Sequence, residues 1–201
     1  MDTPEEIARA EWYSELVDDV SQQAVDEFTL DRLRSYYLAN PDLVKDIVLI
    51  FNEAKALIGL SPSASLVLFT TVIELGLKTA LLRPIIYGLV HNESVADLIS
   101  DLVVRQNGFD RFKPLLARII SEYGGIDFNA FTIEGHAKTM WEEFDALQKA
   151  RNGLVHRGQL ASSELATLSH EVAIMIIAHY LPSVLERLDL ELKPGGAIGH
   201  A

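Results

Sequence analysis

Ser61-Pro62 opens a stretch that is apolar on almost every side. Serine is a preferred helix N-cap, and proline is preorganised for the first helical position. Helical spacing then continues to about Leu82, where Arg83-Pro84 is expected to stop or kink the helix. With Leu66 at 0° and about 100° per residue, Thr70, Glu74, Lys78 and Thr71 fall at about 40°, 80°, 120° and 140°. They form one narrow polar stripe. A helix this apolar belongs inside a packed protein or a membrane. A membrane span needs about 20 apolar residues with few charges, and Leu66 to Val90 carries Glu74, Lys78 and Arg83.

The rest of the chain also reads as helix. Asn40-Pro41 marks a boundary, because a residue before proline resists the helical region. Helices are expected over 4–28 and 31–39, from Asp42 to Ile58, and from the Ser94–Asp97 capping pattern onward. Others are expected over 109–122, from Thr132 to about Gly153, and from Ser162 to about Leu190. No run alternates long enough for a strand. The expected class is all-α, a bundle of about five to seven helices. A length of 201 residues allows one domain with an arm. The expected division is an acidic N-terminal helical arm over 1–41, a helical domain over 42–192 and a flexible tail over 193–201.

Charge is unevenly spread. The net charge is −12, which by itself argues against nucleic acid. Residues 1–31 hold ten carboxylates and one base, Arg9; the remainder has sixteen bases against nineteen acids, close to balance. The arm is expected to be a solvated helical face, with shielding of a nucleic-acid cleft as the alternative. Arg105, Arg111, Lys113 and Arg118 cluster around a single acid, Asp110, and are read as solvated helix faces rather than a phosphate-steering patch. There is no cysteine, which excludes disulfides, thiol nucleophiles and cysteine–zinc sites. The first residues lack the basic and apolar regions of a signal peptide. A cytoplasmic protein is expected.

One residue breaks the pattern of the long helix. With Met140 at 0°, Phe144, Leu147 and Leu154 fall at about 40°, 340° and 320°, making a core stripe. Arg151 falls at about 20°, within it. An arginine there must snorkel, pair or line a groove.

The local sequence is Lys149-Ala150-Arg151-Asn152-Gly153-Leu154-Val155-His156-Arg157-Gly158. It resembles the signature of the HEPN superfamily (higher eukaryotes and prokaryotes nucleotide-binding), an Arg followed after four to six residues by His, often with Asn next to the Arg. Arg151, Asn152 and His156 match the Arg-Asn-x-x-x-His form. Their place, at the end of a long helix in an all-helical chain, is where the family carries the motif. The resemblance covers roughly 42–190 in architecture and 151–156 in motif. It implies that a polar or acidic residue on an earlier helix faces the motif arginine. Glu74 is the candidate, with Lys78 beside it. These two, four residues apart, equally read as an exposed ion pair.

The resemblance implies a metal-independent endoribonuclease without a cofactor. The RNA 2′-OH attacks the adjacent phosphate, leaving a 2′,3′-cyclic phosphate and a 5′-OH. His156 would be the general acid or base, since imidazole titrates near neutrality. Arg151 would stabilise charge on the phosphorane, and Asn152 would orient phosphate or His156. On an unbroken helix Arg151 and His156 lie about 140° apart. They meet at one phosphate only if the helix unwinds near Gly153 or a second chain contributes. HEPN ribonucleases characteristically dimerise with two motifs facing one cleft, so a two-fold homodimer is expected. Family toxins carry Tyr two residues after the motif His; here that residue is Gly158, so a tyrosine-modification switch is not expected. The expected partners are RNA, a second copy and an antitoxin or regulatory protein, with a toxin or anti-phage role. The alternative is a silent HEPN module for binding or dimerisation.

The other histidines offer less. His91, His136, His170 and His179 have no partner at metal-ligand spacing, and no metal site is expected. His179, among Met175, Ile176 and Leu181, reads as a satisfied core histidine. The glycines form no phosphate loop, and no serine sits in a nucleophile elbow.

Overall fold

The computed structural model describes residues 27–105, 113–127 and 129–201. The chain is mostly helical, 71% helix against 5% strand, as an all-α bundle requires. Residues 27–39 form one helix, α1. There follow α2 (Lys45–Leu57), α3 (Pro62–Leu75), α4 (Arg83–Leu89), α5 (Glu93–Arg105), α6 (Lys113–Gly124), α7 (Met140–Arg157), α8 (Ser163–Ile174) and α9 (Leu181–Glu186). The central helix, α3, packs against α2, α7 and α8.

Local chemistry sets several of these ends. The Ser61 hydroxyl accepts from Ala64 N at 3.4 Å, with Pro62 at the first helical position. Ser162 caps α8 in the same way. The α5 cap is Asn92, whose Oδ1 accepts from Val95 N at 3.2 Å, rather than Ser94. α7 starts eight residues later than Thr132 and runs beyond Gly153. A reciprocal capping box between Thr139 and Glu142 fixes its start, and Thr132 forms an isolated β-bridge to Thr139.

Arg83-Pro84 does not end the central helix. A π-helical turn, Gly76–Leu82, joins α3 to α4, so helix continues to Leu89. Proline has no N–H, and its ring crowds the carbonyl four residues earlier. For Pro84 that carbonyl belongs to Ala80. The wide turn opens the backbone there, and the Tyr37 hydroxyl donates to Ala80 O at 2.7 Å. The same device recurs between α8 and α9. The π-helical turn Met175–Tyr180 contains Ala178, four residues before Pro182. The two turns pack on each other. A Cβ on Gly76 would lie 2.6 Å from Ile176 Cγ2, so only glycine permits this approach. Pro62–Leu89 and Ser163–Glu186 are each long and apolar enough to cross a membrane by length and composition, yet half or more of their most apolar windows is buried inside the fold.

Two further expectations are corrected. Position 41 does not separate an arm from a domain, because Leu33 and Tyr37 of α1 are fully buried in the common core. The rest of the acidic arm, residues 1–26, lies outside the described residues. The 193–201 tail is not loose. Ile198–His200 (β2) pairs antiparallel with Leu190–Leu192 (β1), with Leu192 opposite Ile198. Ile198 is buried, and its N–H donates to Pro41 O at 2.8 Å. One buried side chain and one long-range hydrogen bond anchor a segment whose glycines predicted freedom.

Candidate functional site

The last two turns of α7 carry Arg151, Asn152 and His156. α7 does not unwind at Gly153, which is buried within the continuous helix. It stops at Gly158, whose φ of +67° is left-handed backbone that favours glycine. Arg151 and His156 therefore project about 140° apart from one rigid rod. Asn152 and His156, four residues apart, share a face. Arg151 is half-buried, and its Nη1 donates to Asn152 Oδ1 at 3.2 Å. Asn152 thus joins the guanidinium to the histidine face. Of the stripe seen in the sequence, Met140, Phe144 and Leu147 are buried, whereas Leu154 and Arg151 are half-exposed. Arg151 sits where the core gives way to solvent. His156 is exposed.

Glu74 does face α7, although it does not reach Arg151. Its Oε1 accepts from Gln148 Nε2 at 2.7 Å, one helical turn before Arg151 and Asn152. Sequence reasoning missed Gln148, since nothing in a lone glutamine marks it. Lys78 lies one turn beyond Glu74 in the π-helical turn and is buried. The two are therefore not the exposed surface pair that their spacing also suggested.

Charge around the motif is one-sided. Residues 146–163 hold Lys149, Arg151, His156 and Arg157 and no carboxylate. Cations in the last turn complement the helix dipole, and this stretch of an otherwise acidic chain is basic. Apolar side chains border it. Val155 is 52% exposed, Leu160 85% and Leu60 80%. Ala161 N donates to Ser63 Oγ at 2.9 Å, which draws the loop bearing Leu160 onto the start of α3 beside Leu60.

Of the basic cluster seen in the sequence, Lys113 packs into the fold and Arg118 lies on an exposed helix face. Lys113 Nζ meets Asp145 Oδ1 at 2.5 Å and lies 5.5 Å from the Trp141 ring centroid. Arg118 pairs with Glu122 at 2.7 Å. Arg111 lies outside the described residues.

A second constellation was not legible in the sequence. His136 Nδ1 lies 3.1 Å from Glu143 Oε1, and its Nε2 lies 3.3 Å from Glu171 Oε2. Glu143 is buried, and the three residues line a cavity of about 480 Å³ with Ser163, Glu164 and Thr167. The loop before α7 carries the imidazole to a cleft between α7 and α8, a closure that spacing along the chain does not encode. With both ring nitrogens facing carboxylates, His136 clasps that loop. Two other histidines are placed differently from each other. His179 is exposed, not a core residue. His170 rests against Phe51 and Phe69, with centroids 5.5 Å and 5.1 Å away, and burial holds its pKa below the ordinary value, with Lys55 adding to the effect.

Compared with family models, with curated proteins and with solved structures, the chain matches none.

Proposed function

We propose that this protein is a metal-independent endoribonuclease of HEPN type that works as a two-fold homodimer, as a toxin or defence effector. One observation carries the reading: the guanidinium of Arg151 bonds to a neutral amide and to no carboxylate among the described residues. Its charge remains available to a phosphate. A buried structural arginine would be matched by an acid, and the acid expected to face it, Glu74, is held by Gln148 instead.

In this reading His156 moves the proton of the attacking 2′-OH or of the leaving 5′-oxygen. Arg151 stabilises the charge that develops on the phosphorane, and Asn152 sets the guanidinium. Because the two side chains diverge on an unbroken helix, one protomer's His156 would work beside the partner's Arg151. Val155, Leu160 and Leu60 offer the apolar surface for that pairing. The same divergence favours the second reading, a catalytically silent HEPN module that binds or dimerises.

The test is incubation of purified protein with total RNA in EDTA, wild type beside Arg151→Ala and His156→Ala. The expected result is cleavage with 2′,3′-cyclic phosphate ends, reduced at least about a hundredfold in both variants. Equal RNA decay in all three samples would mean contamination and defeat the enzymatic reading.

A further inference from the structure

Far along the central helix from the motif, α1, α4 and the start of α5 enclose a cavity of about 490 Å³. This is within the range of small-molecule sites, about 300–1,000 Å³. Two arginines line it, with opposite commitments. Arg32 is spent on the fold: Nη2 donates to Tyr87 O at 2.9 Å and Val90 O at 2.8 Å, and Nε reaches Tyr87 O and Gly88 O at 3.3 Å. It satisfies carbonyls that the end of α4 leaves open. Arg83 is not spent. Its Nε is buried without a partner, its Cζ lies 5.9 Å from the Tyr87 ring centroid, and the Tyr87 hydroxyl is drawn to Asp97, to which it donates. Among the described residues no acid forms an ion pair with it within 4 Å. Burial works against its charge, but Tyr87, Tyr36 and Asp97 together outweigh that and favour the protonated form.

The aromatic wall is equally specific. Tyr36 and Tyr87 stack with centroids 4.6 Å apart and planes tilted by 38°. Asn40 Nδ2 is tied to Tyr36 O at 2.8 Å, which fixes the end of α1 beneath the ring. α1 runs antiparallel to α4, since Arg32 reaches Val90 while Tyr37 reaches Ala80. Arg83 therefore lies toward one end of the cavity, the tyrosine pair in its middle, and Glu93, three residues beyond Val90, toward the other. A guanidinium recognises a carboxylate or phosphate, and stacked phenol rings recognise a planar ring. The carboxylate at the far end repels a second anion.

We infer that this cavity is a binding site for a small aromatic molecule carrying one anionic group, its ring against Tyr36 and Tyr87 and its phosphate or carboxylate on Arg83. The site is separate from the motif on α7 and independent of the ribonuclease reading.

Calorimetric titration of the full chain tests it, with phenyl phosphate, 3-phenylpropionate, inorganic phosphate and benzyl alcohol as probes. At least one aromatic anion is expected to bind with a Kd below about 1 mM, and the tighter of the two names the anionic group. Inorganic phosphate and benzyl alcohol are expected to bind at least about tenfold more weakly, because each supplies only half of the recognition. Arg83→Gln should weaken the aromatic anion by about tenfold or more, and Tyr36→Leu by several-fold. The Tyr36 variant leaves Arg83 in place and stands alone if Arg83→Gln fails to fold. No binding of either aromatic anion at about 10 mM would overturn the inference. So would inorganic phosphate binding as tightly as phenyl phosphate, or affinities unchanged in folded variants.

Discussion

The crossing of the two π-helical turns and the C-terminal end of α7 are both places where the central helix meets a neighbour, and they are completed in opposite ways. At the crossing, Gly76 lets Ile176 approach, and Tyr37 satisfies the carbonyl that Pro84 strands. There the chain itself supplies the group that the interrupted backbone leaves wanting at Ala80. At the end of α7, Arg151 is half-exposed beside Asn152, His156 faces solvent, and Val155 and Leu160 are uncovered. That end is regular in backbone and unfinished in side-chain contacts. Irregularity here therefore marks stability, and the ordinary helix end carries the candidate chemistry.

The sharpest way to break the contrast is Gly76→Val. Its Cβ would meet Ile176 Cγ2 at 2.6 Å, so stability should fall by about 3 kcal/mol, at the upper end for an overfilled core. Urea denaturation measures it, and adding Ile176→Ala should restore part of the loss. A near-neutral Gly76→Val would mean that the crossing is looser than described. Next, Tyr37→Phe should cost about 1–2 kcal/mol, because Ala80 O then has neither Pro84 nor the hydroxyl.

His170 gives a pH test on the same buried side. Its pKa is lowered in the folded state, chiefly by burial. Above its unfolded value of about 6.5 both states are neutral and the group adds nothing. As pH falls through that value the unfolded chain takes up a proton that the folded chain resists, so stability declines. His170→Leu should flatten the stability–pH curve between about pH 7 and pH 5 relative to wild type. Parallel curves would count against the assignment.

At the other end, Leu160→Glu and Arg151→Ala should each change monomer stability by no more than about 0.5 kcal/mol. Leu160→Glu should still shift a dimer to monomer in sedimentation equilibrium. If it unfolds the chain as Gly76→Val does, the two regions are not different in kind.

The sequence made the helices legible wherever short-range chemistry decides them. Ser61-Pro62 and Ser162 cap as their types suggest, and Gly125, at φ +66°, lies just past the end of α6. It failed where the deciding contact is distant. Pro84 looked like a stop because the local pattern contains the missing N–H but neither the π-helical turn nor Tyr37, forty-three residues before Ala80. The start of α7 was misplaced because Thr132 continues a helical pattern that its bridge to Thr139 overrides. Of the candidate site, Arg151, Asn152 and His156 could be named from a six-residue pattern. Gln148 could not, nor could the joining of His136 to Glu143 and Glu171.

What the residue order alone determined is the all-helical class, the apolar central rod and a guanidinium near an imidazole at the end of a long helix. These rest on spacing and capping, which act over one or two turns. The tertiary structure decided that the rod passes through its proline, that the glycine-rich tail becomes a strand, and that Arg151 and His156 diverge on a helix that does not break. It also left Arg83 Nε without a partner beside the tyrosine pair while Arg32 was consumed by carbonyls. Each of these depends on which distant groups satisfy a carbonyl, a charge or a surface, and only packing brings those groups together.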